Sequence, residues 1–281
     1  MSTSPDSDAR PPEQAATTAT ATLPRVGWIR EGVIVLGFYY VYQAVRSVAD
    51  HGGVSNRAHR NARYITDLEK AIGLFHEQAI QQLFIGARWF IRLMNIYYGT
   101  LHFLITAGLL VWLYMRRQHV YRRMRNLLGA TTALALVGYW AFPLAPPRLE
   151  NCNNDVPVLG PSGSALGKCF IDTLDTIGGL WSYHSPVAKA VTNPYAAMPS
   201  LHFGWALWCG LVLWAYLGGR RGQVLGVLYP LLTLFAVVVT ANHYFLDAVG
   251  GAIILLAAHR LLSIRQRRRS ATKTEEAAPA Q

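Results

Sequence analysis

Charge is what this chain has least of. Only 15% of its 281 residues are Asp, Glu, Lys or Arg, where a soluble domain carries roughly a quarter. Hydrophobic residues make up 52%. The deficit argues against an ordinary soluble domain and for a protein whose solvent is lipid. Acids are scarcer than bases, 15 against 26, which leaves a net charge of +11. Cysteine is rare, with three in all. Met1 to about Leu23 lacks any apolar run and is rich in Ala, Thr, Pro and Ser. It lacks the core of a cleavable signal peptide, and residues 1–24 read as a disordered tail. Residues 266–281 read as a basic and then disordered tail, which leaves 25–265 as one membrane-embedded domain. No inverted repeat is visible, which weighs against a transporter built from two halves.

What is present in quantity is the long apolar run. A membrane helix needs about 20 mostly apolar residues, with about 17 as the lower limit. Six segments qualify in whole or part: Ile29–Val45, Phe90–Met115, Leu127–Phe142, Leu201–Leu217, Val224–Ala241 and Tyr244–Leu262. The expected fold is therefore all-α, a polytopic membrane bundle of about six helices. The arginines fall between the runs. Arg116, Arg117, Arg122, Arg123 and Arg125 fill one connection, Arg220 and Arg221 another, and Arg260, Arg265, Arg267, Arg268 and Arg269 lie at and beyond the last. That is the positive-inside pattern, and it accounts for the net charge without a nucleic-acid partner. It puts both connections and both chain ends in the cytoplasm. Residues 46–92 fit less well, with seven basic residues on the outer side. Ile65, Leu68, Ile72, Leu74 and Phe75 recur there at near-helical spacing, so part of it reads as an interfacial helix lying along the membrane.

Cys209 falls inside a run and reads as a small packing residue. Cys152 and Cys169 fall in the outer loop, where a disulfide is permitted and would contribute about 3 kcal/mol in a chain-entropy treatment.

The polar residues at the outer ends of the runs are the candidate site. His243 and Asp247 are four apart, on one helical face. A carboxylate on one imidazole nitrogen leaves the other basic, as a histidine nucleophile requires; the pair could equally finish a helix end. His202 could protonate a leaving alkoxide. Ser200 follows Pro199 at an expected helix start, where it could cap the helix while the same backbone N–H groups hold a phosphate. Arg148, stiffened by Pro146 and Pro147, could grip phosphate oxygens in bidentate fashion or simply meet lipid head groups. Asn95, Tyr98 and His102 share a stripe that is either interhelical glue or part of the lining of the site. His202, His243 and Asp247 are also ligand types that suit zinc.

These clusters resemble the type 2 phosphatidic acid phosphatase superfamily, whose motifs are Lys-x6-Arg-Pro, Pro-Ser-Gly-His and Ser-Arg-x5-His-x3-Asp. The second stands here as Pro199-Ser200-Leu201-His202 and the third as His243-x3-Asp247. The strings Phe142-Pro143…Pro146-Pro147-Arg148 and Ala197-Met198-Pro199-Ser200-Leu201-His202 look more like the branch containing fungal inositol phosphorylceramide synthase. The resemblance implies that His243 forms a phosphohistidine, Asp247 orients it, His202 protonates the leaving group and Ser200 helps hold the phosphate. The chain departs from the pattern at Leu201 in place of Gly, at Ala236 and Val237 in place of the Ser-Arg pair, and at Ala141 in place of the lysine. Arg148 alone could supply the cation of the first motif.

The expectation is a metal- and cofactor-independent lipid phosphatase or phosphotransferase in a bacterial plasma membrane, with its site facing outward. Its partners would be membrane lipids and a lipid phosphate. A diester carries less charge than a monoester, so few cations favour a diester donor. The alternative is a non-catalytic membrane protein, either transporter-like or a degenerate enzyme.

Overall fold

The computed structural model describes residues 54–150, 170–180 and 194–276, together with parts of 27–40. Cys152 and Cys169 lie outside the described residues, as do the N-terminal tail and residues 41–45 of the first apolar run.

The described chain is helical, and its one bridge outside helices pairs Leu144 with Ala196. Helix α1 is Val54–Ala71 and α2 is Glu77–Ile85. Helix α3, Arg88–Ile96, runs through a π turn at Tyr97–Leu101 into α4, His102–Arg116. Helix α5 is Gln118–Ala141 and α6 is the single turn Thr173–Thr176. Helix α7, Leu201–Val212, ends in a second π turn at Leu213–Leu217. Helix α8 is Gly219–Val239 and α9 is Phe245–Glu276. The break before α8 falls at Gly218, whose φ of 85° suits a residue without a Cβ.

Among the described residues, three helices are long and apolar enough to cross a membrane by length and composition: Arg88–Arg116, Gly219–Val239 and Phe245–Thr272. Leu201–Leu217 is apolar but shorter. The expected third span, Leu127–Phe142, is the second half of a 24-residue helix whose first turns carry Arg122, Arg123 and Arg125. Helix α9 runs on to Glu276 through residues that the sequence reading gave to a tail. Arg, Lys, Glu and Ala are good helix formers, and a helix already nucleated extends cheaply.

Helix α7 sits at the centre and packs against α4, α5, α8 and α9. Its Trp208 is 0% exposed and donates its indole N–H to the Met124 carbonyl at 2.9 Å. The outward faces are apolar: Leu104, Val111 and Met115 on α4, Val224, Leu228 and Leu231 on α8, Ile253 and Leu256 on α9 are all exposed. Water would penalise such a surface, and lipid does not.

The near-helical spacing around Ile65 and Leu68 does form a helix, α1, and few of its apolar residues turn inward. Ile65 is buried with Ala58, Asn61, Ala62 and Glu69, while Leu68 and Ile72 are exposed. Beside lipid, apolar residues gain little by turning inward, and the inner face is selected by close fit and hydrogen bonds. Asn61 donates to the Pro143 carbonyl at 2.8 Å and Ala145 N–H to the Ala58 carbonyl at 3.3 Å. Near the first apolar run, Glu31 is held by the Tyr121 hydroxyl at 2.8 Å and by the Arg125 guanidinium.

Candidate active site

Two prolyl segments bring the motifs together. Helix α5 stops before Pro143, and Leu144 then pairs with the chain that leads into α7. Leu144 N–H donates to the Tyr195 carbonyl at 2.9 Å, and Ala197 N–H to the Leu144 carbonyl at 3.3 Å. One strand of this pair leads to Arg148, on a short 3-10 turn at Pro147–Leu149. The other leads to Ser200, where α7 begins.

Ser200 is the cap of α7, and its Oγ accepts the Phe203 N–H at 3.3 Å. Its own N–H donates to the Asp247 carbonyl at 2.8 Å. This bond ties the second motif to the third directly. The fit is close: a Cβ on Gly250 would meet Pro199 Cβ at 3.2 Å, and one on Gly251 would strike the Ser200 carbonyl oxygen. The two glycines thus let α9 close on the start of α7.

His243 and Asp247 are 3% and 0% exposed. His243 Nδ1 lies 3.3 Å from Asp247 Oδ2, which also accepts the Tyr244 N–H at 2.9 Å. The histidine backbone is fixed as well, because His243 N–H and Asn242 N–H both donate to the Val237 carbonyl, at 3.2 and 2.9 Å. Ala236 and Val237 stand where the resemblance would place Ser and Arg, and both are buried among helices.

The His202 ring lies 5.7 Å from the His243 ring, centroid to centroid. It stacks on Tyr98 at 4.2 Å and meets His102 at 5.3 Å. The Nε2 atoms of His102, His202 and His243 are buried with no hydrogen-bond partner. Buried polar nitrogens are almost always partnered, so a run of three imidazoles each presenting one suits a polar ligand.

The stripe of Asn95, Tyr98 and His102 is divided. Asn95 donates to the carbonyls of Thr173 and Gly178, at 2.8 and 2.9 Å, and so anchors the 170–180 segment. Tyr98 covers His202. His102 Nδ1 is paired with the Tyr229 hydroxyl at 2.9 Å. The π turn between Asn95 and His102 widens the helical spacing that would have kept them in line.

Arg148 reaches the site with its charge compensated. Its Nη1 donates to Asp172 Oδ2 at 2.7 Å, its Nε to Asn242 Oδ1 at 3.0 Å, and its backbone N–H to the Ala241 carbonyl at 2.9 Å. Ala241 has a φ of 53°, a strained value for a residue with a Cβ. Asp172 also caps α6. Sequence reasoning missed Asp172, Asn242 and the glutamates Glu69 and Glu77, which meet the start of α9. Asn242 carried a signal, as a polar residue beside His243. The other three carried none.

Among the described residues, no group of three or more His, Cys, Asp or Glu side chains is arranged to hold a metal ion.

A family model described as the PAP2 superfamily matches residues 63–261. No curated protein and no solved structure matches the chain.

Proposed function

This chain belongs to the PAP2 superfamily, and on that premise we propose that it is a membrane-embedded lipid phosphatase or phosphotransferase working through a phosphohistidine at His243. The superfamily comprises phosphatases and phosphotransferases, and the apolar helices make membrane association the setting. The observation that carries the reading is the His243–Asp247 contact at 3.3 Å with the His202 ring 5.7 Å from that of His243. Asp247 occupies Nδ1 and directs Nε2 toward phosphorus.

In the first step His243 Nε2 forms a bond to phosphorus as the bond to the lipid oxygen breaks. His202 gives that oxygen its proton. Negative charge on the phosphoryl oxygens is met by Arg148 and by the N–H groups at the start of α7, which Ser200 caps. In the second step water or an alcohol attacks phosphorus, His202 takes its proton, and the N–P bond breaks. No step calls for a metal.

The donor we favour is a phosphodiester lipid with an inositol-phosphate-type head group, as in the inositol phosphorylceramide synthase branch. Arg148 is the one motif cation, and Asp172 already balances it. A monoanionic diester needs less countercharge than a dianionic monoester. We place the site at the outer face of a bacterial plasma membrane in a six-span bundle, following the arginine pattern.

The test is head-group or phosphate release from radiolabelled lipids by purified protein in detergent with EDTA. Wild type should turn over and His243→Ala should lose at least about 10³-fold. Equal rates for the two would defeat the proposal. The aliphatic pair at 236 and 237 and the neutralised Arg148 favour a second reading, a non-catalytic membrane protein. Silence of wild type across phosphatidic acid, isoprenoid phosphates and phosphoinositides, with and without an alcohol acceptor, would select it.

A further inference from the structure

The start of α9 is capped by acids from two other helices. Phe245 N–H donates to Glu77 Oε1 at 2.9 Å, and Leu246 N–H to Glu69 Oε1 at 2.8 Å. Both glutamates are 0% exposed. Adjacent N–H groups on one helical turn hold the two carboxylates side by side. Two ionised carboxylates only accept and cannot bond to one another. The remaining oxygens, Glu69 Oε2 and Glu77 Oε2, are buried with no other partner. A proton between the two side chains satisfies both.

The charge balance asks for the same proton. Asp247, also fully buried, belongs to the same turn, and none of the ion pairs among the described residues involves either glutamate. A helix N-terminus offers roughly half a positive charge, too little for three full carboxylates. The titratable groups around the pair are Asp247 on α9 and Tyr244, which also senses Glu150. Lys70, the next residue on α1, is exposed and lies over the Phe75 ring.

We propose that Glu69 and Glu77 are positioning residues for the His243–Asp247 pair, sharing one proton so that they cap the start of α9 as a single negative charge. The proposal rests on the reading of His243 as nucleophile. Burial first, then the hydrogen bond and charge of Glu77 and the charge of Asp247, push Glu69 up to about 9. Loss of the proton above that pH sets three negative charges against one another at the turn that fixes Asp247.

The shared proton is read without any activity assay, by infrared titration of the purified full-length protein in detergent. The C=O band of a protonated carboxyl should persist at neutral pH, vanish around pH 9, and be missing in Glu69→Gln. A wild type without this band overturns the shared proton, whether or not the protein turns over lipid. Positioning is read from the pH profile of turnover. Wild-type kcat should fall above about pH 9 with KM held. The amide introduced by Glu69→Gln can still accept from Leu246 and now donates to Glu77, so this variant should keep kcat within about twofold at neutral pH and lose the alkaline fall. Glu69→Ala should lose about tenfold or more in kcat. An alkaline fall unchanged in Glu69→Gln overturns the positioning role, and Glu77→Gln repeats the test if the first variant does not fold. A wild type without turnover overturns the nucleophile reading and the positioning role together, while the infrared band still decides the proton.

Discussion

One oxygen of Asp247 serves two groups: Oδ2 accepts the Tyr244 N–H at 2.9 Å and faces His243 Nδ1 at 3.3 Å. The first contact locks the carboxylate, and the second selects the tautomer with its proton on Nδ1. Asp247→Asn keeps the shape and loses the charge. Turnover should fall by about 10²–10⁴-fold with little change in KM, and steady-state kinetics that stay within a few-fold of wild type would remove Asp247 from the mechanism. This pair was legible because its spacing is local. The partners of Arg148 were not, since Asp172 and Asn242 lie 24 and 94 positions away and no periodicity marks them.

At the scale of elements, the site depends on how α7 meets α9. The carbonyl of Ser200 rests where a Cβ of residue 251 would stand. Gly251→Ala must push the two helices apart and strain the Ser200–Asp247 backbone bond of 2.8 Å. We expect about 1–3 kcal/mol of destabilisation, the usual result of overpacking, seen as a lower Tm with a parallel drop in turnover. An unchanged Tm would mean that the contact is not tight. The adjacent Gly250 and Gly251 stand plainly in the sequence, but the segment they meet, Pro199-Ser200, lies some fifty positions away and no local pattern points to it. The helices themselves were largely legible: Phe90–Met115 was expected where Arg88–Arg116 forms. The inner face of α1 was not, because apolar periodicity marks burial only where water is the alternative.

For the whole molecule, the buried acids make stability depend on pH. Glu69 moves from its ordinary 4.5 to about 9 in the folded chain. Between those values the folded state holds a proton that the unfolded state has released, so stability falls as pH rises across that window and levels off above it. Thermal unfolding in detergent should show Tm declining from about pH 4.5 to about 9 in wild type. Glu69→Gln, which cannot release the proton, should show a flatter profile, and equal slopes would contradict the account. On α4, α8 and α9 the exposed faces are apolar, while His102, Thr106, Thr233 and Asp247 on the same helices are buried.

The sequence by itself determined that this is a helical, lipid-associated protein of the PAP2 type, with His243 and Asp247 one turn apart and His202 at a helix start. Composition and local spacing are enough for that, because both act within a few residues. Only the tertiary structure decided that His202 comes to His243, that Asp172 balances Arg148, and that Glu69 and Glu77 close the start of α9. These contacts join segments 24 to 177 positions apart. They are fixed by how helices pack and which buried donors need acceptors, and a linear pattern carries neither.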